Sequence, residues 1–434
     1  MEQCLRIRVV MGLDRISEFP EELLLKILSF LPTKDVIATT VLSKRWRSLW
    51  KLVPKLEFES ENEEDIAKFA EKVGRCLLSH KAPVLESLHL KVTDEHEETI
   101  CGINVGLWVG IAVARHVREL VLDLSLFKNS LRFPTVALFC DTLEALKLKY
   151  SVLVDVPSPV YMKSLRTLHL DSVKFKDNDS IHNFISSCPN LEDLLIHRVT
   201  LKKVLIIEAP SLKRLSISGK IGGKEEAGGY VISARSLKYL NIRRLYNCRC
   251  CLIENARVLV KATVSNVSYI VNENILGSLK LARRLSLDLS PLEIKCPTRT
   301  RFYNLVYLEM STIEAEWWNL LKLMLESSPQ LQVLKLIDPG KDASKDDEVS
   351  GQWSEPKYIP ECLSCYLETF VWIRYDWERE EEKEVAKYIL RNATFLKKAT
   401  FSTRPVEHQK SLQMLNELNS VVSSASNSCH ILFE

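Results

Sequence analysis

The side chains best suited to chemistry in this chain are thiols. Cys248-Arg249-Cys250-Cys251 and Cys362-Leu363-Ser364-Cys365 place cysteines where two thiolates could share a tetrahedral zinc ion. A closed zinc site needs four ligands, and neither cluster has a second pair or a histidine within 20 residues. Buried reduced thiols are therefore expected, with no metal site. The 362/365 pair lacks the strand–helix setting of a redox motif. The segment GKIGGKEEAGG at 219–229 holds five of the 13 glycines. It fails as a phosphate loop because no Ser or Thr follows its lysines, and the strand-like Tyr230-Val231-Ile232-Ser233 comes where a helix should begin. A loop between repeats is the expectation. Neither G-x-S-x-G nor H-E-x-x-H occurs, and the nine histidines are scattered, with His89, His169 and His197 at strand positions. The reading is a non-enzyme with no catalytic residues and no cofactor.

What holds these residues must be large, since 434 residues exceed one compact core. With 46% hydrophobic and 26% charged residues the chain is folded rather than collagen-like or disordered. Lys+Arg of 59 against Asp+Glu of 56 gives +3, too near neutral for nucleic acid or membrane to be the main partner. Glu2, Arg6 and Arg8 interrupt the apolar residues of 1–10, so no signal sequence is read there. The longest apolar run, Val105 to Ala114, is half the ~20 residues that a membrane helix needs. The expected location is nucleus and/or cytoplasm, with thiols reduced.

A pattern of apolar-x-x-apolar-x-apolar recurs from Leu143/Leu146/Leu148 through Leu165/Leu168/Leu170, Leu191/Leu194/Ile196 and so on to Leu331/Leu334/Leu336. Its first positions lie 21 to 26 residues apart, inside the range of leucine-rich repeats. Less regular copies stand at Leu85, Val117, Leu367 and Leu396. The last two apolar residues of each unit would alternate on a strand and enter a common core, and each strand would pair in parallel with the next. Longer units have room for a helix, as at Asp179–Ser187 and Trp317–Ser327, whereas Val199–Ala209 has none. No unit buries its own apolar face, so stability must come from stacking.

The first fifty residues differ. Pro20 with Glu21 and Glu22 starts a helix whose Leu24, Ile27, Leu28 and Leu31 form one apolar stripe that Pro32 ends. Thr33 can cap a second helix and Ser43 a third, which carries Trp46, Leu49, Trp50 and Val53. So small a module cannot bury all its stripes alone. From Ile16 to Trp50 it resembles the F-box: Pro20, Ile27, Leu28, Leu31-Pro32, Val36, Val41-Leu42-Ser43, Arg45-Trp46 and Leu49-Trp50 fall at the family's spacing. Phe19 departs from it, standing where the family usually has Leu. The resemblance implies docking to a Skp-type adaptor and, through it, to a cullin and a RING subunit. The implied contacts are Pro20, Leu24, Ile27, Leu28, Leu31, Pro32, Val36, Val41, Leu42 and Trp46. Such F-boxes begin close to the chain start, so Met11 is a second candidate initiator.

Past Leu336 comes the polar stretch Asp338 to Ser350, read as an exposed insertion, and then a helix over Glu380–Asn392. Trp353, Pro360, Cys362-Leu363, Leu367, Tyr388-Ile389-Leu390 and Asn392-Ala393 resemble the FBD domain. The whole resembles the plant F-box/FBD/leucine-rich-repeat family. Its implied organisation is an F-box at 11–58, an irregular α/β solenoid at 80–337 with parallel strands and helices on the convex side, an insertion at 338–352, and a capping α/β FBD module at 353–434. The implied function is the substrate-recognition subunit of an SCF-type ubiquitin ligase acting on an unknown protein substrate. An adaptor-bound scaffold or decoy, or an anion- or nucleic-acid-binding repeat protein, are the alternatives.

Specificity must then lie on outward strand positions. Lys147, Lys149, Arg214, Arg243, Lys261, Arg284 and Lys335 stand there with Tyr239, Tyr307, Asp193 and Glu309. Two readings stay open: a solvated charged face, or a surface biased towards acidic or phosphorylated ligands.

Overall fold

The computed structural model describes residues 16, 19–60, 66–93, 105–125, 130–157, 159–220, 228–246, 248, 250–267, 275–289, 300–313, 316–340, 352–403, 408–424 and 429–433. The second candidate initiator, most of the glycine-rich segment and most of the insertion lie outside them. The chain divides into two compact units, 1–151 and 152–434.

The first unit opens with helices α1 (Glu21–Leu28), α2 (Thr33–Ala38) and α3 (Trp46–Leu49), with single 3₁₀ turns at Thr39–Val41 and Trp50–Leu52. The third helix is thus shorter than its apolar spacing suggests. Pro20 and Pro32 occupy N-cap positions, where a missing N–H costs nothing and their carbonyls accept from the next turn. Thr33 is not the cap but the first helical residue; its hydroxyl accepts from the Glu57 N–H at 2.6 Å. Four parallel strands follow in the order Lys55–Glu59, Ser87–Thr93, Glu119–Ser125 and Ala145–Tyr150. Helices Ile66–Ser79 and Val105–Ala114 pack against each other, with Phe69 edge-on to Trp108 at 6.5 Å. Among the described residues no helix is long and apolar enough to cross a membrane.

The second unit holds a ladder of eleven parallel strands among the described residues, from Thr167–Asp171 to His430–Phe433. Its register follows the repeat: Leu215 faces Leu240, which faces Ala262, then Leu285, Leu308, Leu334, Phe370 and Ala399, all buried. At many exits from a strand a non-glycine residue takes a left-handed backbone, among them Ser172, Arg198, Asn255, Asn266 and Arg374. Each such turn is paid in strain of about 1 kcal/mol or more, which the packed rungs on both sides must hold.

Helices Asn178–Ser186, capped by Asp177 on the Ser180 N–H at 2.7 Å, and Trp317–Ser327 sit where the longer units have room. The short units between 204 and 254, which like Val199–Ala209 have no room for a helix, carry strands instead. There Val204–Glu208, Gly229–Ser233 and Cys251–Glu254 form a second parallel sheet. A strand rises ~3.3 Å per residue against 1.5 Å for a helix, so five residues span a short unit that a helix could not. The C-terminal module adds strands Thr369–Ile373, Lys398–Ser402 and His430–Phe433 to the same ladder. Trp372 lies at its centre, with Trp317, Phe370 and Tyr375 at 4.9 to 5.9 Å.

Candidate functional site

The ten residues implied as contacts divide into two sets. Leu24, Leu28, Val36 and Trp46 are buried and, with Leu49 and Val53, make the core of the helical module. They are corrected from docking contacts to packing residues, since no partner can reach them without unfolding the module. Pro20, Ile27, Leu31, Pro32, Val41 and Leu42 are exposed, Val41 at 84% and Leu42 at 64%. The spacing did not single out Ile16, Phe19, Leu23 and Phe30 as contacts, yet all are exposed, Phe30 at 77%. Their signal was in plain view: each is an apolar residue in or beside the first helix.

So many large apolar side chains on so small a module is unusual for a free surface. The scaffold under them is fixed. An Arg45 Nη2 donates to the Phe19 carbonyl at 2.8 Å, tying the segment before α1 to α3. His80 Nε2 lies 2.8 Å from the Val53 carbonyl and its Nδ1 2.8 Å from Arg115 Nη1. Burial, which outweighs the bond to Val53, holds the His80 pKa below its usual 6.5. The neutral ring therefore donates to Val53 and accepts from Arg115.

On the outward strand face, most of the sequence-selected cations are already paired. Lys147 meets Glu119 at 2.8 Å, Lys149 meets Asp123 at 3.5 Å, Arg214 meets Asp193 at 2.9 Å and Lys335 meets Glu309 at 3.0 Å. Contact with His89, together with Lys147 and against partial burial, pulls the Glu119 carboxyl down to about 2. Burial works to raise Asp193 and Glu309, but His169 with Arg214, and Ser286 with Lys335, outweigh it and leave both below the usual range. Tyr307 donates to Glu309 at 3.1 Å and carries the Arg284 guanidinium on its ring at 4.5 Å. Burial, reinforced by Glu309, pushes its phenol up to about 12. Tyr239, Arg243, Lys261 and Arg284 are exposed.

Burial pushes Cys188, Cys248 and Cys362 up to about 12 and raises Cys251. Cys248 Sγ faces the Cys250 carbonyl at 3.0 Å, and Cys362 Sγ the Leu325 carbonyl at 3.3 Å, while Cys365 is exposed. Among the described residues no cluster could hold a metal ion.

A small helical module with an outward apolar face, followed by ladders of stacked parallel strands, defines a repeat protein of the recognition type. The profile of the F-box domain matches residues 16–58, that of the repeats of FBD-associated F-box protein At5g56370 matches 105–251, and that of the FBD domain matches 355–401. The chain is 55% identical over 449 residues to F-box/FBD/LRR-repeat protein At3g52680 of Arabidopsis thaliana, covering 100% of this chain and 96% of the relative. It is 57% identical over 440 residues to F-box/FBD/LRR-repeat protein At3g51530 of the same plant, covering 98% and 94%. The chain belongs to the plant F-box/FBD/leucine-rich-repeat family. Its F-box indicates binding of a Skp-type adaptor.

Proposed function

We propose that the chain is the substrate-receiving subunit of an SCF-type ubiquitin ligase, working in the nucleus and/or cytoplasm. The observation that carries this is the exposed apolar face of α1 and the turns around it, with Phe19, Leu23, Ile27, Leu31 and Leu42 standing off a core that is complete without them. Burying it against the adaptor would remove from water the large apolar side chains that the module leaves outside its own core. The cullin and RING subunit are reached through that adaptor, and the outward strand positions receive a protein substrate. The chain itself makes and breaks no bond. Its contribution is proximity, holding a substrate lysine near a charged conjugating enzyme at high effective concentration.

Co-expression with a Skp-type adaptor tests the docking half: the wild type should co-purify and Ile27→Asp with Leu31→Asp should not. Ubiquitin transfer to a trapped partner by the assembled ligase, followed by loss of that partner in cells unless the proteasome is inhibited, tests the rest. A complex that binds its partner and transfers no ubiquitin would sink the ligase reading.

A further inference from the structure

We propose that Lys261 and Arg284 form a receptor for a phosphate monoester carried on an extended segment of the protein substrate. The inference rests on the substrate-receiver reading and names the chemistry recognised. Lys261 and Arg284 are register partners on adjacent parallel strands. Neighbouring strands lie ~4.8 Å apart, and like charges placed directly opposite are unfavourable. Lys147, Lys149, Arg214 and Lys335 each have a carboxylate. Among the described residues Lys261 and Arg284 have none, and both are exposed. A dianion across them would turn the repulsion into two charge-assisted contacts.

The site is also held in place. Arg284 stacks on Tyr307 at 4.5 Å, and Tyr307 is fixed by its bond to Glu309, which Ser286 and Lys335 hold at 2.8 and 3.0 Å. A guanidinium fixed by its flat face keeps its N–H edge free for bidentate binding of phosphate oxygens. Tyr239, opposite Lys261 on the other side, is exposed and forms a wall. Lys238 and Arg283, one residue before the row on their strands, are exposed as well and add to the local field. Arg243, on the strand of Tyr239, is exposed as well, so the exposed cations span three neighbouring strands, Tyr239–Tyr246, Lys261–Ser265 and Arg284–Asp288. Glu309 stands on the next strand beyond Arg284, while on the other side Arg214 and its partner Asp193 lie two and three strands from Lys261. A single phosphate on a peptide is the proposed occupant, and a nucleic-acid strand is the competitor that the test includes.

The test uses the full chain purified with its adaptor and two pools of peptides, randomised around a central phosphoserine or a central serine. At about 0.15 M salt, where exposed charges are screened beyond ~8 Å, the phosphoserine pool should be retained at least about tenfold better. Lys261→Ala with Arg284→Ala should abolish that preference and keep the adaptor, whereas Lys147→Ala, at a paired cation, should keep both. A phosphopeptide selected from the pool should raise the melting temperature of the wild type and not of the double variant. Equal retention of the two pools, equal loss in Lys147→Ala, or equal protection by inorganic phosphate overturns the proposal. So does a single-stranded oligonucleotide that competes as well as the phosphopeptide. Adaptor retention is read on the same samples. A wild type that selects phosphoserine and retains no adaptor overturns the ligase reading and leaves the phosphate site standing.

Discussion

Ile27 and Leu28 are neighbours on one helix, yet Ile27 is 45% exposed and Leu28 1%. On the proposed docking, that single step along α1 separates binding from folding. Leu28→Ala should destabilise the helical module by about 2–5 kcal/mol, because the side chain lost is part of its small core. Ile27→Asp should change stability by less than about 0.5 kcal/mol, as exposed substitutions do, and still abolish co-purification of the adaptor. Urea melts and pull-downs on the two variants separate the effects. An Ile27→Asp protein that melts early, or a Leu28→Ala protein as stable as the wild type, would show the division to be wrong.

This division was not legible in the sequence, and the reason is physical. Leu24, Ile27, Leu28 and Leu31 lie at helical spacing and read as one stripe, but a stripe says only that a face is apolar. Which members it buries is settled by Trp46 and Leu49, which close over Leu24 and Leu28 from another helix. The repeat was legible because its information is local: Leu240, Ala262 and Leu285 occupy the same place in successive units and meet across the strands as their spacing demands. Which cations of the outward face are paired was not legible for want of register. Lys147 lies 28 residues from Glu119 in sequence, and only strand pairing brings them to 2.8 Å.

Acidification should act on the two units in opposite directions. The His80 pKa lies below 6.5, so its contribution is present above 6.5 and lost as the pH falls and the ring is forced to charge beside Arg115. Glu382, buried at 1% exposure, has its carboxyl raised to about 7 by burial, an effect that the Asp376 N–H and Arg379 only partly offset. Its contribution is full below 4.5 and is lost as the pH rises through about 7. Hydrogen exchange between pH 7.5 and 5 should therefore show faster opening at the Lys81 and Ala82 amides, which donate to Lys51, and slower opening in helix Glu380–Asn392. His80→Gln and Glu382→Gln should each flatten the response of its own region alone.

A ladder that stacks rung on rung should fail regionally. Leu240 is buried between Leu215 and Ala262. Leu240→Ala should cost about 2–5 kcal/mol, with the loss shared by the strands on either side because each repeat leans only on its neighbours. Hydrogen exchange should rise in Arg214–Lys220 and Lys261–Ser265 before it rises in Thr369–Ile373. Uniform acceleration along the whole ladder would argue for one global cooperative unit instead.

Thiol chemistry offers a test of the metal question that needs no metal. Cys362 and Cys365 have the spacing of a ligand pair, but Cys362 is buried with its sulfur on the Leu325 carbonyl, and burial pushes its thiol up to about 12. Cys365 is exposed. Since the thiolate is the nucleophile, iodoacetamide at pH 8 should modify Cys365 first among the described cysteines and leave Cys188, Cys248, Cys251 and Cys362 intact until the chain unfolds. Peptide mapping after short and long exposure gives the order directly. Early and equal modification of Cys362 and Cys365, or protection of both that a chelator removes, would mean the two sulfurs share an environment that this fold denies them.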